Sequence, residues 1–331
     1  MNLEYIWIDG REGTPQLRSK TKVVYSEESI PDWGFDGGST YQGTLQDSDR
    51  ILKSVRVYAD PFGAHTDKLV LCEVYYPDGT PHESNTRHSL SKKDVKELDP
   101  WFGFEQEYTL INPDTRKPIG FKNKDPNTVI QGDFYCSIGT SKAVGREIAE
   151  AHLGYCRLAG VALDGMNAEV MPGQWEYQTS PGGYLKAPDD AWMARYILER
   201  LSERYGVDIS FNPKPHEAFN GAGMHTNFST VKTREDYSYC IEVIESLKEN
   251  HSEAIKIYGD GIERRLTGEC ETSPFTEFSF GVADRGASVR VPAHVYAAGK
   301  GYIEDRRPCA NADPYKVCSH ILECVATPVL S

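Results

Sequence analysis

The chain has no apolar run approaching the ~20 residues that a helix needs to cross a bilayer, so no membrane partner is expected. Its opening, MNLEYIWIDG, carries Glu4 early and lacks a basic segment, which argues against a secretory leader. Positive charge is scarce: Lys and Arg total 36 against 49 Asp and Glu, a net charge of −13. That balance excludes general nucleic-acid binding, which needs a basic face. The eight cysteines include no pair at the two-residue gap of a zinc knuckle or redox motif. A chain of 331 residues folds without disulfides, so free thiols in a reducing cytoplasm are the expectation. Internal repeats and low-complexity linkers are absent. So is the pattern G-x-x-x-x-G-K-[ST], which excludes a P-loop.

What is present suffices for a core: 39% hydrophobic and 11% aromatic residues. Residues 1 to about 88 read as short strands (4–10, 21–25, 55–62, 68–76) separated by turns such as Asp78-Gly79. SLSKKDVKEL (89–98) reads as the first helix and the hinge into a second unit, with Ser89 or Ser91 as N-cap. Further helices are predicted from Ser141, with Val144, Ile148, Ala151, Tyr155 and Leu158 as the apolar stripe and Gly160 as the stop. Others are predicted over 189–206, over 233–250 opened by Thr233, and over 314–326. Hairpin-joined strands among these helices favour an α+β class over a doubly wound parallel sheet.

The chemistry begins in WFGFEQEYTLI (101–111). Alternation puts Phe102, Phe104, Tyr108 and Leu110 on one strand face, apolar except for Gln106, and Glu105 with Glu107 on the other. In NAEVMPGQWEYQ (167–178), a two-residue turn at Pro172-Gly173 would set Glu169 directly opposite Glu176. Like charges so placed repel, and a divalent cation between them resolves the conflict. Mg²⁺ and Mn²⁺ favour such hard oxygen ligands. FNGAGMHTNFS (219–229) adds a glycine-rich turn, at which Gly221 and Gly223 would let backbone approach a ligand, and His225 on a strand. GYIEDRRPCA (301–310) places Tyr302, Glu304 and Arg306 on one face, and FGVADRGASVRVP (280–292) supplies Arg285 and Arg290. Taken singly, these have ordinary readings: a solvated strand face, a structural histidine, surface salt bridges. Together, five glutamates, one histidine and a group of arginines point to a two-metal, anion-handling site. The residues alone stop at a metal-dependent enzyme acting on phosphate esters or nucleotides.

The same segments resemble glutamine synthetase, in its shorter eukaryotic-type (type II) branch. The resemblance rests on YIWIDG, WGFDGGST, KLVLCEV, PWFGFEQEYTL, NAEVMPGQWEYQ, NGAGMHTNFST, RRLTG, GASVRVP and GYIEDRRP, in family order over nearly the whole chain. It implies a small N-terminal β-grasp domain (1–88) and a larger catalytic domain (89–331), whose curved antiparallel sheet is flanked by helices. It implies ATP-dependent joining of ammonia to L-glutamate through a γ-glutamyl phosphate. By motif, one Mg²⁺ or Mn²⁺ falls to Glu107, Glu169 and Glu176, and a second to Glu105, His225 and Glu304. Glutamate falls to Asn220, Gly221, Arg265 and Arg306. The phosphates of ATP fall to Arg285 and Arg290, with Tyr302 near the nucleotide. Asp36 would bind ammonium and take its proton in a neighbouring subunit's site, which implies a ring, usually two stacked pentamers. Glu271 matches the flap glutamate that shields the acyl phosphate.

The family pattern is broken at four places. Gly38 stands for a serine, QDSDR for Ser-Asn-Ser-Asp, Phe219 for a tryptophan and Ala293 for an arginine. The first two touch the ammonium loop and motivate a second expectation, a ligase using an amine other than ammonia. A non-catalytic relative would have lost metal ligands, and none of the six is missing.

Overall fold

The computed structural model describes residues 1–25, 29–121 and 129–326. The chain opens with β1 (Asn2–Ile8), β2 (Leu17–Val23), β3 (Trp33–Asp36), β4 (Asp49–Ala59) and β5 (Lys68–Tyr75). These form one sheet in the order β2-β1-β5-β4-β3, antiparallel except for the central β1–β5 pair. Helix α1 (Thr86–Ser91) follows, and its N-cap is Asn85, whose side chain accepts from the His88 amide. The helix expected over 89–98 is therefore shifted: Ser89 and Ser91 lie inside it, because an earlier asparagine already satisfies its first free amides.

The larger unit continues with β6 (Trp101–Ile111), α2 (Arg146–Ala159), β7 (Leu163–Ala168), β8 (Gln174–Thr179), β9 (Gly182–Gly183), α3 (Lys186–Tyr205), β10 (Asp208–Ser210) and β11 (Met224–Ser229). Then come α4 (Ser238–Glu249), α5 (His251–Ile257), α6 (Ile262–Arg265), β12 (Phe280–Val282), β13 (Val289–Val291), α7 (Ala293–Ala298), β14 (Ile303–Asp305) and α8 (Pro314–Ala326). Its sheet runs β12-β13-β14-β11-β6-β8-β7, with β9 and β10 also pairing with β6. Only β12–β13 is parallel, so the fold is mixed α+β rather than doubly wound.

Two helix starts differ from expectation. α2 begins at Arg146 after Gly145, which takes φ 85°, so Ser141 lies outside it. Its buried face is Ile148, Ala149, His152, Cys156 and Ala159, and Leu158 of the expected stripe is 67% exposed. The helix expected from Thr233 begins instead at Ser238. Thr230 and Thr233 tie a turn by donating and accepting across it, which holds the backbone out of helix. Gly160 and Gly206 end their helices in the left-handed conformation.

Helices cover one face of the larger sheet. Phe102, Phe104, Met224, Phe228, Val289, Val291 and Ile303 pack with Val243, Ile244, Leu247, Ile321 and Leu322. Tyr108, Leu110, Trp175 and Tyr177 share a second core with α2, α3 and Ile6, Tyr58, Leu69 and Leu71 of the first sheet. Alternation then commits Glu105 and Glu107 to the face the helices leave free.

The two sheets are also tied by a charge. Asp189, fully buried in the first turn of α3, accepts from Arg56 Nε (2.8 Å), Arg87 Nε (2.7 Å) and Nη2 (3.0 Å), and Tyr315 Oη (2.6 Å). Arg87 Nη1 donates onward to Glu73 Oε1 at 2.8 Å. Four elements thus share one carboxylate. Asp189→Ala would strand two guanidiniums and is expected to cost about 3–5 kcal/mol in urea unfolding. A cost below about 1 kcal/mol would show that the cluster behaves as a surface pair.

Candidate active site

The turn at Pro172-Gly173 is present: Gln174 N donates to the Met171 carbonyl at 3.0 Å, and Gly173 takes φ 80°. The expected register is not. Glu169 N donates to the Gln174 carbonyl (2.9 Å), and Asn167, not Glu169, lies opposite Glu176. Val170 and Met171 lengthen the loop beyond a two-residue hairpin, so Glu169 sits diagonal to Glu176. The residue directly opposite Glu176 across a strand pair is Glu107 of β6. The charge conflict is real, but it lies between β6 and β8.

Cross-strand pairing assembles the rest. His225 lies opposite Glu105, Asn227 opposite Glu304, and Arg290 opposite Glu304. Ligand atoms of Glu107, Glu169 and Glu176 fall within 4.8 Å of one another, and so do those of Glu105, Glu176 and His225. Glu176 therefore belongs to both groups. Glu304 is completely buried. Its oxygens accept from Arg290 Nη1 and Arg306 Nη1, both at 2.6 Å, and one lies 3.6 Å from His225 Nδ1.

These groups line a cavity of ≈ 610 Å³. Every residue proposed for the site from sequence borders it except Asp36, Gly223 and Tyr302. Asp36 sits on the exposed end of β3, accepting from Gly38 N (2.9 Å) and Ser39 Oγ (2.8 Å). Tyr302 is half-buried beside it, its hydroxyl pKa raised by burial and by the charges of Glu105 and Glu304. A Cβ at Gly223 would meet Arg265 Nη2 at 2.4 Å and His225 Nε2 at 2.9 Å, and one at Gly221 would meet the Pro213 carbonyl oxygen at 2.4 Å and Arg265 Cγ at 2.6 Å. Both glycines make room for Arg265, and Gly221 also borders the cavity. Arg265 is buried, with Nη1 donating to the carbonyls of Arg306 (3.1 Å) and Arg307 (3.2 Å) and Nη2 facing His225 Nε2 at 3.1 Å. Cys270 and Glu271, at the rim, take φ 55° and 60°, a strained pair of non-glycine residues.

Among the further residues that border the cavity are Gln131, Tyr135, Asn167 and Gln178. Asn167 donates to Glu169 Oε1 at 2.9 Å, and Gln178 donates to Glu176 Oε1. Both were findable, since each is two residues from a carboxylate and so shares its face. Gln131 accepts from Asn220 N and donates to Asn220 Oδ1, each at 2.7 Å. It lies in a short turn with no periodicity to reveal it.

Burial raises Glu107, Glu169 and Glu176 above the ordinary carboxylate range. Glu107 is pushed up to about 7 by burial, partly offset by Arg265 and by the Gly223 amide that donates to it. Glu169 is pushed up to about 8 by burial and then by the Glu107 charge. Glu176 is driven well above normal by burial and by Glu169, Glu105 and Glu107. His225 is held well below its ordinary value by burial and the Arg306 charge, hence neutral. Crowded, desolvated carboxylates beside a neutral imidazole are the donor set that divalent ions such as Mg²⁺ or Mn²⁺ fit.

The family described as glutamine synthetase, catalytic domain, matches residues 83–262. Similar proteins extend over almost the whole chain. A glutamine synthetase of Streptomyces viridochromogenes is 49% identical over 323 residues, covering 95% of this chain and 93% of its own length. The glutamine synthetase nodule isozyme of Medicago sativa is 48% identical over 332 residues (97% and 92%). A glutamine synthetase of Neurospora crassa is 46% identical over 332 residues (97% and 90%).

The pKa shifts fix the sign of a pH effect. A carboxyl whose folded pKa is raised stabilises the fold fully below its unfolded pKa, and loses that contribution as pH rises through the folded value. For Glu107 and Glu169 the loss runs from the ordinary 4.5 to about 7 and about 8. A bound cation replaces the lost protons. The Tm gain on adding Mn²⁺ should therefore grow from pH about 5.5 to about 8.5 in thermal melts. A gain independent of pH would contradict this site.

Proposed function

The chain belongs to the glutamine synthetase family, and on that premise we propose that it is an ATP-dependent glutamate–ammonia ligase, producing L-glutamine, ADP and phosphate. The observation that carries this reading is one cavity holding the five glutamates proposed as ligands and a neutral histidine against a wall of arginines.

In this reading Glu107, Glu169 and Glu176 hold one divalent ion. Glu105, His225 and Glu304 hold a second, with Glu176 between the two groups. When bound, the ions draw in the phosphate oxygens and neutralise charge on the transferring group. Asn220, Gly221, Arg265 and Arg306 orient glutamate, Arg265 in part by fixing the carbonyls around Arg306. Arg285 and Arg290 meet the phosphates, where guanidinium donors stabilise developing negative charge, and Tyr302 lies near the nucleotide. The γ-phosphoryl group passes to an oxygen of the glutamate side-chain carboxylate as ADP leaves. Ammonia then attacks the acyl carbon and phosphate departs. Asp36 takes the proton that ammonium must lose, and Glu271 closes over the acyl phosphate to exclude water.

Asp36 lies away from the cavity of its own chain, so this role needs a neighbouring subunit. We therefore include a ring of two stacked pentamers. Leu45, 96% exposed, and Tyr41, 60% exposed, lie in the β3–β4 connection that follows Asp36 and offer apolar surface for that contact. The division into residues 1–88 and 89–331 belongs to the same reading. So does a cytoplasmic location, which rests on eight unpaired cysteines; no helix among the described residues is long and apolar enough to cross a membrane.

One observation favours a second reading, an acceptor larger than ammonia. A Cβ at position 38 would come within 3.1 Å of Asp36 Oδ1, so Gly38 leaves that carboxylate open on one side. Asp47, in the altered loop, is held by Arg50 through two contacts of 3.1 Å.

Purified protein given ATP, Mg²⁺, glutamate and ammonium should form glutamine, with kcat/KM for ammonium above that for any amine in a panel. No glutamine above background would end the first reading, and a strong preference for a polyamine would establish the second. Glu304→Ala should lower turnover by about 100-fold or more, because it removes a carboxylate and leaves Arg290 and Arg306 unpaired. Asp36→Asn should leave ATP affinity unchanged while slowing amide formation about 100-fold; equal loss of both would refute its assigned role.

A further inference from the structure

The face of the sheet opposite the cavity is apolar at nearly every position that alternation turns toward the helices. Gln106 of β6 breaks that pattern, as Thr226 of β11 and Asp305 of β14 also do, and a buried cation meets it. Arg195 of α3 is 2% exposed. Its Nε and Nη2 donate to Gln106 Oε1 at 2.9 and 2.6 Å. Nη2 also donates to the Ala310 carbonyl (2.9 Å) and contacts Met224 Sδ (3.1 Å). Gln106 Nε2 in turn donates to the carbonyls of Glu107 (2.8 Å) and Ala310 (3.0 Å).

The placement of these partners is specific. Gln106 lies between Glu105 and Glu107. Met224, its cross-strand partner, immediately precedes His225. Ala310 closes the segment that carries Arg306, and it is bonded back to the residues before His225 through Ala222 (3.0 Å). One guanidinium therefore touches, from behind, three of the segments whose front faces carry site residues.

Among the described residues that guanidinium hydrogen-bonds no carboxylate: it meets oxygens of Gln106 and Ala310 and the Met224 sulfur, and it lies over the rings of Trp192 and Phe211 (4.8 and 5.1 Å). Burial pulls its pKa below the usual guanidinium value. A buried ionic group of this kind does not outperform well-packed apolar residues in stability. Directional hydrogen bonds do provide something apolar packing lacks, a fixed spacing between backbones. Metal ligation tolerates only about ±0.2 Å in ligand distance, so such spacing reaches the carboxylates directly.

We propose that Arg195, acting through Gln106, is a positioning residue that fixes β6, β11 and the 306–310 segment so that Glu105, Glu107 and His225 converge on the divalent ions. This rests on the functional reading above, and it adds residues that touch neither substrate nor ion.

The test is Mn²⁺ affinity, followed by the electron paramagnetic resonance of free Mn²⁺, in the full-length parent and in Arg195→Met/Gln106→Met. The double substitution replaces both polar side chains with apolar groups of similar length, so neither is left without its partner, and only the Glu107 and Ala310 carbonyls lose donors. It should retain the parent circular dichroism, with a lowered urea midpoint, while binding Mn²⁺ about 10–100-fold more weakly. A folded double variant with an Mn²⁺ Kd within about twofold of the parent overturns the proposal, since a purely structural pair would leave affinity unmoved. Should the double variant not fold, Gln106→Glu decides. It keeps an acceptor for Arg195 but turns oxygens toward the Glu107 and Ala310 carbonyls, and the same loss or constancy of affinity is read. A parent that binds no Mn²⁺ overturns the functional reading and this proposal with it. A parent that binds, with variants unchanged, overturns the proposal alone.

Discussion

Carboxylates that repel one another are held together on one face of one sheet. Glu107 and Glu176 face each other across a strand pair, Glu169 leans in from the loop, and Glu105 stands two residues along. Burial strengthens the repulsion, since little water remains to screen it. Protons relieve it in part, as the raised pKa values of Glu107 and Glu169 record. Divalent cations relieve it better, and the arginine wall supplies the opposite charge that a polyanionic substrate needs beside them.

The rest of the molecule holds that arrangement in place. Helices α3, α4 and α8 occupy the reverse face and exclude water from it. The N-terminal sheet shares the Tyr108–Trp175 core and is tied to α3 through Asp189. Gly221 and Gly223 carry no side chains, so Arg265 can lie flat beneath His225. Each is a packing solution to one problem, keeping acidic strands close while their side chains push apart.

Much of this was legible from residue order. The face shared by Glu105 and Glu107, the odd polar Gln106, the turn at Pro172-Gly173 and the ends of α2 and α3 at glycine all follow from local rules. The β7–β8 register was not legible. A turn fixes only its own four residues, and Val170 with Met171 add chain that local chemistry does not count. Helix starts slipped for a related reason: Asn85 and the Thr230–Thr233 turn compete with the caps that sequence suggests. Glu304's double engagement with Arg290 and Arg306 depends on β13–β14 pairing across sequence, and Gln131 sits where no period exists. Asp36's distance from its own chain's cavity is likewise a property of tertiary placement.

The carboxylates and histidine come from β6, the β7–β8 loop, β8, β11 and β14, spread from residue 105 to residue 304. Pairing of β11 with both β6 and β14 closes loops of over a hundred and of about eighty residues respectively. High separations of this kind slow folding. During synthesis nearly the whole polypeptide must leave the ribosome before the last of these strands can dock. The wall of the cavity that carries His225 and Glu304 is therefore the last to be completed, after the strands that bring Glu107, Glu169 and Glu176 together.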